Sequence, residues 1–171
     1  MADTRVPTTK PVTMDSDTAD TDFEKSLTFL LSTLGSRIAL IAEQTLRQTL
    51  DLSYMEWRVI QIVGTEKCTR PNRIIAVTGV NKANVSRAIT ALEQRGLLLR
   101  THLEFHARNT ELQLTRSGKV VYQKGNSLRR KAETPLLAGL SDNERNVLGN
   151  ALRRIMRNVD GIRGTPGKHT S

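Results

Sequence analysis

The sequence Gly79-Val-Asn-Lys-Ala-Asn-Val-Ser-Arg87, followed by Ala88-Ile-Thr-Ala-Leu-Glu-Gln-Arg95-Gly96, indicates the fold most clearly. At about 100° per residue, one stripe of this predicted helix is apolar and holds Val85, Ala88, Ile89 and Leu92. The opposite face holds Ala83, Ser86, Arg87, Thr90 and Gln94. That outer face has short side chains, one long cation and no acid. It therefore predicts a recognition helix that enters the major groove of duplex DNA.

Positive charge is concentrated in the middle of the chain. The whole sequence has a net charge of +9, but residues 67–131 contain 14 lysines and arginines against 3 acids. The other residues contain 12 lysines and arginines against 14 acids. Segregation of this kind predicts a polyanionic partner, namely double-stranded DNA.

Several classes of protein are excluded by what the sequence lacks. Cys68 is the only cysteine among the 171 residues, so no internal disulfide can form. No stretch approaches the roughly 18 apolar residues of a membrane span, and no signal peptide is recognisable. We expect a cytoplasmic protein with no membrane partner. The residues contain no phosphate loop, nucleophile–base pair or metal set, so we expect no enzyme and no cofactor.

Helical periodicity and turn residues divide the chain. A disordered tail is predicted for residues 1–20, then a helix from the capping box Thr21–Glu24 to about Leu50. We then expect helices at 53–64, 71–78 and 81–96, followed by strands at 97–103 and 110–115. A further helix is expected at 115–137, and Pro135 should kink or end it. A second capping box, Ser141–Glu144, begins the last helix, and 161–171 is read as a disordered tail.

These elements define a mainly α fold, a winged helix-turn-helix with a small β-hairpin wing and terminal dimerisation helices. The predicted domain covers residues 21–160. Residues 53–118 form its DNA-binding lobe, and residues 21–50 and 119–160 form its dimerisation helices. The apolar stripe of the first helix is longer than a small domain needs, so we expect part of it to be buried against a second subunit.

The chain resembles the MarR family (multiple antibiotic resistance regulators) of bacterial transcription factors over about residues 24–160. Gly79–Arg87 is similar to the turn and recognition helix of that family, and Leu92-Glu-Gln-Arg-Gly-Leu97 to its exit into the wing. Leu112-Gln-Leu-Thr115 with Gly118 is similar to the returning wing strand and the next helix start. The resemblance implies a symmetric dimer whose recognition helices reach major grooves about 34–36 Å apart. It also implies an effector crevice, frequently for aromatic carboxylates or phenolic compounds.

One departure from the family pattern lies in the wing. The family commonly carries Asp-Arg-Arg before the Leu-x-Leu-Thr motif, where this chain has His106-Ala-Arg108. The acid that would orient the wing arginine is therefore missing. Arg108 is still expected to enter the minor groove, and His106 to contact phosphate.

The candidate DNA contacts lie on the recognition helix, at the start of the preceding helix and in the wing. They are Asn72, Arg73, Lys82, Ala83, Asn84, Ser86, Arg87, Thr90, Arg95, His106 and Arg108. Arg87 is predicted to reach a base edge or a phosphate, whereas Lys82 is nearly as well explained as a solvated lysine. We expect Arg95 to support the wing or to contact the DNA backbone rather than to read the base sequence.

A second group of residues suits an aromatic acid. An arginine can hold a carboxylate through two hydrogen bonds while aromatic rings enclose the ligand. The candidates are Arg37, Tyr54, Met55, Trp57 and Arg58. The alternative is that Trp57 belongs to the core and that both arginines form structural ion pairs.

The predicted function is that of a dimeric, sequence-specific transcriptional repressor of a pseudo-palindromic operator. An aromatic acid, phenolic compound or thioester derivative would release it from DNA. One alternative is a redox-sensing repressor, in which Lys67 and Arg70 lower the pKa of Cys68, although an incidental cysteine is the better explanation. Another is a non-specific DNA-coating protein. The potential metal ligands His102, Glu104 and His106 share one hairpin and make a poor site.

Overall fold

Helices dominate the described residues, 23–102 and 110–164, of this computed structural model. A single 3-10 turn, Phe23–Lys25, precedes the first α-helix. The elements are α1 (Leu27–Leu50), α2 (Tyr54–Glu66), α3 (Pro71–Thr78), α4 (Lys82–Gln94), β1 (Leu98–His102), β2 (Thr110–Leu114), α5 (Arg116–Leu136) and α6 (Asp142–Gly164). The predicted mainly α, winged helix-turn-helix fold is confirmed. The chain divides into two units, residues 1–45 and residues 46–171.

In the first unit, α1 begins later than the capping box Thr21–Glu24 predicted. The 3-10 turn is followed by Ser26, whose carbonyl oxygen accepts the first helical hydrogen bond, from the Leu30 amide at 3.0 Å. The rings of Phe23 and Phe29 meet edge to face, with centroids 5.0 Å apart. This contact packs the 3-10 turn against the first turn of α1, so the start of the helix moves to Leu27. Thr21 lies outside the described residues.

In the second unit, the core forms around α2. The Ser53 hydroxyl accepts from the Glu56 amide at 3.2 Å, and the Glu56 carboxylate accepts from the Ser53 amide at 2.6 Å. This reciprocal cap fixes the first turn of α2. The fully buried side chains of the core come from α2, α3, α4, β2 and the residue before the α2 cap. They are Leu52, Val59, Ile60, Val63, Ile74, Val85, Ile89, Leu92 and Leu112.

The helix-turn-helix is built by local sequence signals. Pro71 occupies the first turn of α3, and Gly79 ends the helix with a left-handed φ of 68°. Asn81 then caps α4, its side-chain oxygen accepting from the Asn84 amide at 2.9 Å. The predicted bounds of α3, its glycine turn and the Asn81 cap are confirmed.

The wing strands β1 and β2 pair in antiparallel register, from Leu98 opposite Leu114 to His102 opposite Thr110. The loop after α2 adds one further bridge to β2. The Thr69 amide donates to the Leu112 carbonyl at 3.1 Å, and the Leu112 amide donates to the Thr69 carbonyl at 2.8 Å. The loop after α2 is thereby fixed to the wing. The predicted wing turn, residues 104–109, lies outside the described residues.

Two glycines bring α2 and α5 into close contact. The Tyr122 ring lies where a Cβ on Gly64 would be, 2.5 Å from its ideal position. The Trp57 ring lies even closer to the ideal Cβ position of Gly125. Each aromatic ring therefore fills the space that a side chain on the opposite helix would need. Trp57 is only 5% exposed as a result.

The two C-terminal helices depart little from the predicted bounds. Pro135 lies in the last turn of α5, which ends at Leu136, as a proline near a helix end allows. The predicted capping box of α6 is present, with the Glu144 carboxylate accepting from the Ser141 amide at 2.8 Å. However, α6 continues to Gly164, so the predicted boundary at residue 160 is too early. Across residues 23–102 and 110–164, no helix has the length and apolar character that a membrane span requires.

Gly125→Ala should lower the free energy of unfolding by about 1–3 kcal/mol, because the new methyl group overlaps the buried Trp57 ring. Urea denaturation followed by the fluorescence of Trp57, the only tryptophan, measures the change. The control is Gly161→Ala, which adds a methyl group in open space on α6 and should leave stability unchanged or slightly higher. Equal stabilities for the two variants would contradict the close contact.

Candidate nucleic-acid interface

The two faces of α4 are as the sequence predicts. Val85, Ala88, Ile89 and Leu92 are buried against the second unit's core. Six of the predicted DNA contacts lie on this helix, and five of them are exposed, Asn84 being half-buried. These six are Lys82, Ala83, Asn84, Ser86, Arg87 and Thr90. The helix therefore presents short side chains and two cations on one continuous outer face.

Arg87 is held in place by a chain of polar contacts along α4. The side-chain oxygen of Asn81 accepts from the Asn84 amide, and the side-chain oxygen of Asn84 in turn accepts from Nη2 of Arg87. The Arg87 side chain remains exposed. Since a guanidinium has five N–H donors, this contact orients the group and leaves capacity for a ligand.

The one acid of α4 is neutralised by the wing. Glu93 accepts two hydrogen bonds from Arg100 on β1, from Nε at 2.9 Å and from Nη2 at 2.8 Å. Paired bonds of this kind fix both charge and geometry. The Glu93–Arg100 pair thus removes a negative charge from the recognition helix and joins its C-terminal end to the start of the wing. Neither Glu93 nor Arg100 is among the predicted DNA contacts.

The start of α3 lies beside a second ion pair. Arg73 donates from Nε to Glu66 at 3.0 Å, and Asn72 is exposed without taking part in this pair. The Thr69 hydroxyl also donates to Glu66, at 2.7 Å, and these two hydrogen bonds, Thr69 first, lower the pKa of the Glu66 carboxyl. The Arg73 side chain is still 58% exposed, so it can also approach a phosphate. Arg70, the N-cap residue of α3, makes no side-chain capping bond there.

Arg95 stabilises the lobe. Its Nη1 donates to the Asp51 carbonyl at 2.6 Å, and its Nη2 lies 3.3 Å from the Asp51 carboxylate. Glu56 is a further ion-pair partner, at 3.9 Å. Cations are favourable at a helix C-terminus, and Asp51 directly follows α1 with a positive φ of 53°. These contacts account for Arg95 without a nucleic acid.

Two predicted wing contacts, His106 and Arg108, lie outside the described residues. The same holds for Glu104 of the metal set considered above and for the side chain of His102. Within residues 23–102 and 110–164, no group of three or more potential metal-ligating side chains is present.

The residues predicted to bind an aromatic acid divide into different environments. Trp57 is buried in the contact with Gly125, whereas Tyr54, Met55 and Arg58 are half-buried. Nη1 of Arg58 donates to the Thr78 carbonyl at 3.4 Å, and its guanidinium lies 6.0 Å from the centroid of the Tyr54 ring. Arg37 is exposed on α1, in the first unit. Trp57 therefore lies in the core, which was the alternative to a place in the ligand site. Arg58 supports the end of α3.

Cys68 has the opposite electrostatic environment from the one suggested by its neighbours in sequence. Its thiol donates to the Glu111 carboxylate at 3.0 Å. This hydrogen bond, aided by desolvation, raises the pKa of Cys68 above its ordinary value, while Arg70 opposes the shift only weakly. Arg70 does act in the expected direction, but Glu111 and desolvation outweigh it, so the expectation of a lowered pKa is wrong. A raised pKa leaves less thiolate for oxidation, which disfavours a redox sensor.

Comparison with known proteins supports this geometry. Residues 50–108 match the sequence model of the MarR family. No curated protein sequence matches the chain. A MarR/EmrR family transcriptional regulator from Acinetobacter sp. ADP1 has a similar structure, with a TM-score of 0.76 and 22% identity over 81% of this chain and 98% of that chain.

Two similar structures were solved with DNA. S. aureus MepR has a TM-score of 0.67 and 19% identity, over 80% of this chain and 98% of that chain. FabT of Streptococcus pneumoniae has a TM-score of 0.66 and 21% identity, over 82% of this chain and 99% of that chain. The fold therefore defines a winged helix-turn-helix protein. The resemblance to the MarR family is confirmed, because residues 50–108 match the sequence model of that family within this fold.

Glu111→Gln should lower the pKa of Cys68, because the substitution removes the negative charge beside the thiol. The rate of alkylation by iodoacetamide, followed from pH 6 to 10, should then rise at a lower pH than in the wild type. Glu133→Gln removes an acid that pairs with Arg129 on α5 and should leave the profile unchanged. Superimposable profiles for Glu111→Gln and wild type would show that Glu111 does not raise the pKa of Cys68.

Proposed function

We propose that the chain is a sequence-specific DNA-binding transcriptional repressor. It would act as a homodimer on a pseudo-palindromic operator and leave DNA when a small-molecule effector binds. The observation that carries the proposal is the outer face of α4, which is exposed, cationic and free of unpaired acid. The structures of MepR and FabT in complex with DNA support the same use of a similar fold.

The outer face of α4 suits a major groove in both shape and charge. Ala83 and Ser86 are small, so the start of the helix can approach base edges closely, and Thr90 offers a hydroxyl and a methyl group one turn further. Lys82 adds a cation at the positive end of the helix dipole. The Glu93–Arg100 pair keeps the only carboxylate of α4 from repelling the phosphates.

Arg87 distinguishes a sequence-specific regulator from a non-specific DNA-coating protein. A coating protein needs only phosphate contacts, whereas a regulator needs an oriented donor at a base edge. The guanidinium of Arg87 is held by Asn84, whose position is set by the Asn81 cap. An arginine held in this way is suited to the two acceptors of a guanine edge.

The dimer is proposed from α6. This helix has 23 residues, and from Asp142 to Ile162 none of them is buried in the single chain. One side of it is apolar and exposed and holds Val147, Leu148, Met156, Val159 and Ile162. Because amphipathic helices derive most of their stability from burying the apolar face, α6 needs a partner surface. A second copy of the chain fits, since two recognition helices would match a symmetric operator.

Release from DNA by an effector remains a prediction. The expected effector is a small aromatic acid, a phenolic compound or a thioester derivative. Tyr54, Met55 and Arg58 of the second unit are still candidates for such a ligand, and so, considered by itself, is Arg37 of the first unit. Trp57 would contribute only through its buried contact with Gly125, as support for the site. The redox alternative has no support from Cys68, whose pKa is raised by Glu111.

Arg87→Ala should weaken binding to the specific operator by about 1–3 kcal/mol, which is roughly 5- to 150-fold in Kd. The operator is obtained by selecting duplexes from a random library with the full-length protein. Fluorescence anisotropy then compares the selected duplex with a shuffled one of equal length. The variant should lose affinity mainly for the selected duplex, because Arg87 reads bases.

The matched control is Arg153→Ala, which removes the same charge from α6, where Arg153 contacts Asn150. It should bind the selected duplex as the wild type does. If the library yields no enriched sequence and Kd rises steeply with salt for every duplex, the protein is a non-specific DNA-coating protein.

Leu148→Glu should weaken the dimer at least tenfold, because a carboxylate would be buried without a partner on the apolar side of α6. Sedimentation equilibrium of the full chain measures the dissociation constant. Asn146→Glu adds the same charge about 200° around the helix and should leave it unchanged. A wild-type mass of 19.1 kDa at micromolar concentration would rule out the dimer.

A further inference from the structure

Nearly half of the cations in the basic middle of the chain lie on α5 and not on the recognition helix. Residues 67–131 contain 14 lysines and arginines, and six of these lie at residues 116–131, where there is no acid. The six are Arg116, Lys119, Lys124, Arg129, Arg130 and Lys131. None of them is among the predicted DNA contacts. Their charge therefore has no part in the base-reading surface of α4.

The packing of α5 fixes which of its sides faces outward. Gly118 and Gly125 are buried, and the ring of Trp57 on α2 lies against Gly125. At about 100° per residue, five of the six cations lie on a side centred about 180° from these two glycines. All five are exposed, namely Arg116, Lys119, Lys124, Arg130 and Lys131. We call these five residues the α5 cationic face.

The charge of the α5 cationic face is not neutralised by neighbouring acids. None of its five residues has an ion-pair partner within residues 23–102 and 110–164. The sixth cation of the helix, Arg129, lies outside the face and pairs with Glu133 at 2.8 Å. Like charges on one face repel one another, and a bound polyanion would remove this repulsion.

The uncharged residues between the cations indicate which polyanion fits. Gln123 and Ser127 lie on the same side of the helix, and both residue types bind phosphate oxygens in DNA complexes. Val120 is the only apolar residue there, and no aromatic residue is present on this side of residues 116–131. Single-stranded nucleic acids need aromatic rings for stacking, protein partners need apolar anchors, and membranes need a broad apolar face. The phosphate backbone of duplex DNA needs none of these.

The α5 cationic face is also long enough to follow a duplex. The helix rises about 22 Å from Arg116 to Lys131. Successive base pairs of B-form DNA lie about 3.4 Å apart along the axis, so the face spans the rise of roughly six base pairs. Several phosphates can therefore be contacted at once.

The start of α5 is joined to the end of the recognition helix. The Thr115 hydroxyl caps α5 by accepting from the Gly118 amide at 3.0 Å, and it donates to the Gly96 carbonyl at 2.7 Å. The Thr115 amide also donates to the Leu97 carbonyl at 3.2 Å. Arg116 directly follows this joint. The α5 cationic face is thus continuous, through Thr115, with the segment that links α4 to the wing.

We infer that the α5 cationic face binds the phosphate backbone of duplex DNA that flanks the operator. The contact does not depend on base sequence, because it involves phosphates alone. The inference rests on the proposed function, since α4 must first hold the operator beside the lobe. It lengthens the bound DNA beyond the bases that α4 reads, and it makes the affinity depend more steeply on salt.

The inference is tested with the full-length protein and two duplexes. One is the selected operator alone, and the other carries one further helical turn of random sequence, about 10 base pairs, at each end. Fluorescence anisotropy at constant ionic strength should give a Kd at least fivefold lower for the flanked duplex. The slope of log Kd against log salt should increase by about one for each additional phosphate contacted.

The α5 variant combines three substitutions, Lys124→Gln, Arg130→Gln and Lys131→Gln. Glutamine keeps the helix propensity of these exposed positions, so the urea midpoint should stay close to that of the wild type. The variant should bind the two duplexes with Kd values within twofold of each other. Hydroxyl-radical footprinting should show that the wild type protects the flanking backbone and that the variant does not.

The matched control removes the same charge from exposed positions of α6, through Arg153→Gln, Arg154→Gln and Arg157→Gln combined. It should keep the fivefold preference for the flanked duplex and the flanking footprint. An equal loss of this preference in both triple variants would mean that only the total charge matters, which would overturn the inference.

The remaining outcomes separate the inference from the proposed function. A wild type that binds the operator but gains nothing from the flanks, or an α5 variant that keeps the gain, would overturn the inference alone. A wild type that binds no duplex would overturn both. Selected and shuffled duplexes bound equally well, with a gain from length that only the α5 variant loses, would overturn sequence-specific binding and support the α5 cationic face as a DNA-binding surface.

Discussion

The close contact between α2 and α5 organises the second unit. Gly64 and Gly125 have no side chains, so the rings of Tyr122 and Trp57 fill the space between the two helices. The positions of other elements follow from this contact. Besides α5, α2 also packs against α4 and β2. The recognition helix and α5 therefore pack against the same helix, α2, and α5 also contacts β2 of the wing.

The recognition helix is fixed at both ends by polar groups rather than by packing alone. Asn81 caps its first turn, while Glu93 and Arg95 bind partners in β1 and after α1. The Asn81 cap lies within α4 itself, whereas the contacts of Glu93 and Arg95 reach two other segments, β1 and Asp51 after α1. The C-terminal end of the helix therefore cannot rotate about its axis without breaking one of these two contacts. Rigid support of this kind is what keeps a short outer face in register with a groove.

Local signals explain which features the sequence predicts well. Pro71, Gly79, Asn81 and Ser141 each act on their own turn of backbone, so the helix-turn-helix and the start of α6 are predictable from spacing. The partners of Arg95, Arg100 and Cys68 lie 44, 7 and 43 residues away, respectively, and no periodicity reveals them. The observed start of α1 differs from the predicted one, because the contact between the Phe23 and Phe29 rings packs a 3-10 turn ahead of the helix. In the sequence, Lys67 is notable only as a neighbour of Cys68, because its positive φ of 65° has no sequence signature.

The bridge between Thr69 and Leu112 also affects how the protein behaves at high concentration. A two-stranded hairpin has two open edges, and each can recruit a strand from another molecule. Pairing with Thr69 covers one side of β2 at its midpoint, and among residues 23–102 and 110–164 no strand pairs with the outer edge of β1. That strand carries Arg100, a charged residue of the kind that discourages edge-to-edge stacking. The two edges of the small sheet are thus protected against strand addition in different ways, that of β2 by the Thr69 bridge and that of β1 by a charged side chain.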